Sequence, residues 1–182
     1  MKFPLIVSLS ALLLAGCITY PETARVNASL AYSEYNPATK SDVTTPLTVE
    51  VGGDILYVKL FSHPLKRTQV MIDRSKAGEF IAAIDKYLSW EKLARERGDQ
   101  LSKKIGSVSF GGANYVIRFY TAAGDKHYLL MGVRSKVLGD GPIEPDIYDL
   151  SFDRENAEKL KSIIESFSGN RLSQEDKSQI YK

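Results

Sequence analysis

The sequence predicts an α+β protein in which antiparallel sheets carry two helices. Three observations lead there. Residues 73–97 and 153–167 place apolar side chains at spacings of three and four, the signature of a helix with one buried face. Short apolar runs around them are separated by Gly-Gly and Gly-Asp pairs, as strands are by turns. Finally, a strand-Asp-Arg-helix junction occurs twice, so the order of elements is strands, then helix, repeated.

The chain opens on Met1-Lys2-Phe3-Pro4 and an apolar run from Leu5 to Leu14, interrupted only by Ser8 and Ser10. A membrane span needs roughly 20 apolar residues, so this run is too short to cross a bilayer. It has the length of a signal-peptide core. Leu14-Ala15-Gly16-Cys17 follows: an aliphatic residue, two small residues and a cysteine. These four residues resemble the lipobox of bacterial lipoproteins. The resemblance implies that 1–16 is a signal peptide removed on export and that the Cys17 thiol receives diacylglycerol. An ordinary cleaved signal with a chance cysteine, or a short buried helix, are the alternatives.

Cys17 is the sole cysteine of the chain. An exported protein with one unpaired cysteine is unusual, and acylation accounts for it. The same count excludes internal disulfides, a cysteine metal site and a cysteine nucleophile. Each buried CH₂ of an acyl chain contributes about 0.8 kcal/mol, so two or three chains hold a protein on a membrane durably. Residue 18 is Ile rather than Asp. By the sorting pattern of enterobacterial lipoproteins, that implies an outer-membrane anchor facing the periplasm, in a bacterium with two membranes.

Residues 17–45 are rich in Thr, Ser, Asn, Pro and Ala and are expected to form the lipidated N-terminus and a tether. A flexible segment of that length would reach on the order of 30 Å. Val26, Ala28, Leu30 and Tyr32 alternate with polar neighbours, which allows a strand near 24–34. The α+β domain is expected over 46–168. Leu47–Val51 reads as a strand, Gly52-Gly53 as a turn and Ile55–Phe61 as a central strand, apolar on both faces. A turn through His63-Pro64 precedes a strand at Thr68–Ile72. Asp73 or Ser75 caps the first helix, whose stripe is Ala77, Phe80, Ile81, Ile84, Tyr87 and Leu88. Trp90, Leu93 and Ala94 extend it toward Arg97, and Gly98 stops it. Strands follow at Ile105–Phe110, Tyr115–Tyr120, His127–Val133 and Tyr148–Phe152. Asp153 caps a helix to about Phe167 with the stripe Ala157, Leu160, Ile163, Ile164 and Phe167. Residues 169–182 form a polar tail.

The segments Val70–Ala77 and Leu150–Ala157 align without gaps. They define pseudo-repeat halves of about 46–98 and 104–168, unless the match is an accident of a common junction. This order of elements resembles that of the Whirly and PUR-type single-strand-binding folds, which also repeat four strands and a helix. No residue motif of those families can be placed on this chain, so the resemblance implies a fold and carries over no site or activity.

Apolar residues make up 43% of the chain and the net charge is only +2. That near-neutral balance gives no electrostatic footprint for nucleic acid, so no nucleic-acid partner is expected. There are two histidines, His63 in a turn and His127 opening a strand. A Ser-His-Asp arrangement would have to use one of them. Gly-x-Ser-x-Gly, His-Glu-x-x-His and phosphate-binding Gly-rich patterns are all missing from the sequence. The loop from Gly139 to Asp146 offers Asp140, Glu144 and Asp146, with Asp149 nearby, as oxygen donors for calcium. Their spacing is not that of an EF-hand, and a solvated loop explains them equally. Lys92, Arg95, Arg97, Lys103 and Lys104 form a basic cluster interrupted by Glu91, Glu96 and Asp99. It reads as a solvated helix end, or as a site for anionic lipid or glycan. The ten tyrosines suit partner surfaces and strand packing alike.

The expected function is therefore a membrane-anchored binding or assembly module of the cell envelope, without catalysis and without a cofactor. Its partners would be the membrane, through the lipid on Cys17, and an envelope protein or glycan. An envelope hydrolase built on His63 or His127 is the alternative, and a single-strand-binding fold reused in the envelope is a third.

Overall fold

The computed structural model describes residues 23–63, 66–123, 126–134 and 149–172. Cys17, the acidic loop residues Asp140, Glu144 and Asp146, and the tail from 173 lie outside the described residues. The fold is α+β, with antiparallel sheets and two helices.

The strands in chain order are β1 (Ala24–Arg25), β2 (Ala31–Asn36), β3 (Ser41–Pro46), β4 (Thr48–Gly52), β5 (Ile55–His63) and β6 (Lys66–Asp73). One 3₁₀ turn (Arg74–Lys76) leads into α1 (Ala77–Arg97). Then come β7 (Ser102–Phe110), β8 (Ala113–Ala122), β9 (Lys126–Arg134), β10 (Leu150–Phe152) and α2 (Arg154–Ser168). The first sheet has the order β1-β4-β5-β6 and the second β10-β9-β8-β7, while β2 and β3 form a separate hairpin. Each four-stranded sheet is thus followed by one helix.

Alternation explains the first sheet. Val49, Leu56, Val58, Val70 and Ile72 point inward and are buried. Their neighbours Thr48, Glu50, Tyr57, Lys59 and Met71 lie on the other face, each only partly buried. β5 lies between β4 and β6, as its apolar run predicts. The second sheet buries Tyr115, Ile117, Phe119, Leu129 and Met131 on one face. These residues and the helix stripes make one continuous core.

The helix junctions repeat in detail. Asp73 accepts from the Ser75 N–H at 2.9 Å, and Asp153 accepts from the Asn156 N–H at 2.8 Å. The gapless alignment also runs on into the helices. Ala77, Phe80, Ile84 and Tyr87 match Ala157, Leu160, Ile164 and Phe167, and all eight are buried. Burying each large apolar side chain of these stripes contributes about 1.5–3 kcal/mol. Gly98 ends α1 in the left-handed region at φ 67, where an L side chain would be strained.

The segment expected as lipidated N-terminus and tether, 17–45, is folded from residue 23 onward. The expected strand near 24–34 exists as β1 and β2, but residues from 23 to 46 all belong to the fold. Val26 is 6% exposed and Leu30 2% exposed, and both are part of the core. This segment reads as a linker because β3 is exposed along most of its length, so its sequence is polar although its backbone is paired. A second departure concerns α1. Leu93 is exposed at 47%, and the buried stripe continues through Glu91 and Ala94 instead.

Candidate functional site

A groove of about 470 Å³ opens where the β2–β3 hairpin, the end of α1, the start of β9 and the start of α2 meet. Its charged lining comes from Asp42, Arg95, Lys126, Asp153, Arg154 and Glu155, with His127 and Tyr128 beside them.

Local chemistry fixes each side chain. Glu91 occupies a stripe position of α1 and is 1% exposed. Its carboxylate accepts from Arg95 one turn on, and from Arg154 Nη1 of α2 at 2.5 Å. Burial alone would raise the Glu91 pKa. The hydrogen bonds and charges of the two guanidinium groups outweigh it and hold the carboxyl below its ordinary range. Glu91 therefore staples the end of α1 to the start of α2.

Asp42 plays the matching part on the hairpin. It accepts from Lys126 Nζ at 2.8 Å and from the Tyr128 hydroxyl. Burial opposes its ionisation, but these two donors keep its pKa low as well. The Tyr128 hydroxyl is pushed upward by burial and by the Asp42 carboxylate, so it stays a donor. Asp153 caps α2 and also accepts from Ser33 at 2.9 Å, which ties β2 to the same corner. Asn156 completes the tie by accepting from the Ala31 N–H at 2.9 Å.

The result is a groove with its acids held inside and its cations outside. Glu91 is 1% and Asp42 27% exposed at the side chain, against 68%, 44% and 43% for Arg95, Arg154 and Lys126. Glu155, at 75%, is the one well-exposed acid of the lining.

His127 is brought to this groove. The residue is 6% exposed and its ring lies tilted against Phe119 at 5.3 Å. Nδ1 sits 3.1 Å from the Thr121 hydroxyl, whose oxygen also accepts the Leu101 N–H at 3.2 Å. The His127 carbonyl accepts from the buried Tyr87 hydroxyl at 3.0 Å. The lining includes Asp, Glu, Arg, Lys, His and Tyr, but no Ser, Thr or Cys among the described residues. His63 ends β5, and its side chain lies outside the described residues.

The calcium reading loses Asp149. That residue is 5% exposed and paired with the buried Arg118 guanidinium. The pair sits over Gly132, where a Cβ would fall 1.7 Å from Asp149 Oδ1, so the close approach requires glycine. Among the described residues no group of three or more His, Cys, Asp or Glu could hold a metal ion.

Arg95 joins the groove, Arg97 pairs with Asp99 at 3.1 Å, and Lys103 lies 5.4 Å from the Trp90 ring centre. Of the tyrosines, Tyr87, Tyr115 and Tyr128 are buried packing residues. Sequence reasoning missed Glu91, Asp42 and Lys126. Glu91 did leave a signal: an acid sits where the spacing of Phe80, Ile84 and Tyr87 calls for an apolar residue. No described helix is long and apolar enough to cross a membrane. Comparison of the chain with protein-family models, curated proteins and solved structures finds no match.

Proposed function

We propose that this chain is an envelope lipoprotein, anchored through Cys17, whose domain binds a partner in the groove without catalysing a reaction. The observation that carries this reading is the arrangement of the groove. Three partly exposed cations, Arg95, Lys126 and Arg154, are held by carboxylates that are themselves largely covered. The lining sets Arg95, Lys126 and Arg154 against Asp42, Asp153 and Glu155, so its charges balance and it favours a polar partner, whose groups meet side chains that are already ordered and lose little freedom on binding. A polar stretch of an envelope protein, or a glycan, has that chemistry. The Asp42 and Asp153 carboxylates of the lining are committed to Lys126, Tyr128, Ser33 and the cap of α2, which favours binding over hydrolysis.

The experiment is recovery of partners with the acylated protein, using Lys126→Ala and Arg95→Ala as controls. An envelope protein or glycan is expected to bind the unaltered protein and to be lost from both variants. Recovery that does not change between them would overturn the assignment to this groove.

A further inference from the structure

We infer that the outer face of the first sheet rests against the membrane that holds the lipid. This rests on the anchored reading of Cys17. Only Ile18-Thr19-Tyr20-Pro21-Glu22 lie between Cys17 and Thr23. A chain spans at most about 3.5 Å per residue, so Thr23 stays within about 20 Å of the lipidated cysteine. That chain ends at β1, which is the edge strand of the first sheet. The domain cannot swing away on a long linker, so a surface beside β1 faces the headgroups.

The register says which surface that is. Arg25 pairs with Glu50, Glu50 with Tyr57 and Tyr57 with Met71, giving one row across all four strands. The neighbouring row adds Lys59 and Gln69. These residues share the outer face, opposite the buried row of Leu56 and Ile72. Both helices bury their stripes in the core formed with that inner row, so their exposed sides lie across the core from the outer face. The outer face carries what a headgroup layer accepts. Lys59 is paired with Glu50 at 2.5 Å and lies 5.0 Å from the Tyr57 ring centre, which leaves Arg25 as the exposed cation of the row. A tyrosine places its ring and hydroxyl well at that depth, and cations meet lipid phosphates.

The test uses the mature acylated protein in phosphatidylethanolamine–phosphatidylglycerol vesicles containing a headgroup nitroxide. Acylation consumes the sole native thiol, so Gln69→Cys and Ser162→Cys each give a single fluorophore site. Gln69 is exposed on the outer face, and Ser162 on the solvent side of α2. The label at 69 is expected to be quenched several-fold more strongly than the label at 162. Inserting about twenty Gly/Ser residues before Thr23 adds a reach of roughly 25 Å and is expected to abolish the difference. Equal quenching, or stronger quenching at 162, in protein that floats with the vesicles would overturn the orientation. Protein that does not float at all would instead overturn the anchor itself.

Discussion

Arg74 and Arg154 occupy matching positions in the two strand-helix junctions, and each reaches from the start of its own helix to the other helix. Arg74 donates to the Phe167 carbonyl and lies over the Phe167 ring at 4.2 Å. Arg154 reaches Glu91, one turn beyond Tyr87, the residue that matches Phe167. With Lys161 Nζ on Asp85 at 2.6 Å between them, the three ties run in opposite directions along α1 and α2. The helices are antiparallel, and the two halves exchange the same kind of contact.

The two caps should differ in cost because their surroundings differ. Replacing an N-cap Asp by Ala costs about 1 kcal/mol, which is the expectation for Asp73→Ala. Asp153 also holds Ser33 and the Asn156 side chain. Asp73 holds only the exposed Ser75 hydroxyl besides its cap bond, so at about 1 kcal/mol for each covered hydrogen bond Asp153→Ala should lose about twice as much. Urea unfolding of the two variants checks this, read as midpoints at constant slope.

Glu91→Gln should destabilise the domain at neutral pH by about 1–3 kcal/mol, since two charged hydrogen bonds weaken in a covered site. The pH dependence has a definite sign. The Glu91 pKa is depressed in the folded state, so its contribution is present above the unfolded value of about 4.3 and fades as pH falls through the folded value. The gap between variant and parent should therefore close in acid. Thermal melts between pH 7 and pH 3 measure it.

Gly132→Ala should be costly although it adds one methyl group. The new Cβ would drive Asp149 off Arg118 and leave a buried guanidinium without its partner. Breaking such a pair costs about 3–5 kcal/mol. The double variant Gly132→Ala/Asp149→Gly is expected to remove the clash without restoring the ion pair. It should be no more stable than Asp149→Gly alone, a comparison denaturant titration makes directly.

A protein beginning at Thr23 should be as stable as one beginning at Cys17. One beginning at Leu47 should unfold or melt far lower, because it loses the buried Val26, Leu30 and Ser33 and the hairpin carrying Asp42. Circular dichroism melts of the two truncations separate a folded segment from a tether.

Much of the fold was legible because one periodicity dominated each element. The stripe of α2 and the run of β5 could face only one way, and the repeated Asp-Arg junction marked both helix starts. The second strand of the hairpin, β3, was not legible, since an exposed strand and a linker share one polar composition. The groove was less legible still. It joins Asp42, Lys126 and Arg154, residues far apart in the chain, and only Glu91, the acid on the α1 stripe that holds Arg154, hinted at it. Asp149 is a weak cation candidate by sequence alone, and its pairing with the buried Arg118 guanidinium could be read only from the structure.

The anchor at Cys17 is read most directly in the mass of the mature N-terminus. A first residue at Cys17 carrying diacylglycerol is expected, with the protein in the membrane fraction and Cys17→Ser released from it. An unmodified Cys17, or a mature chain that begins at another residue, would overturn the anchored reading.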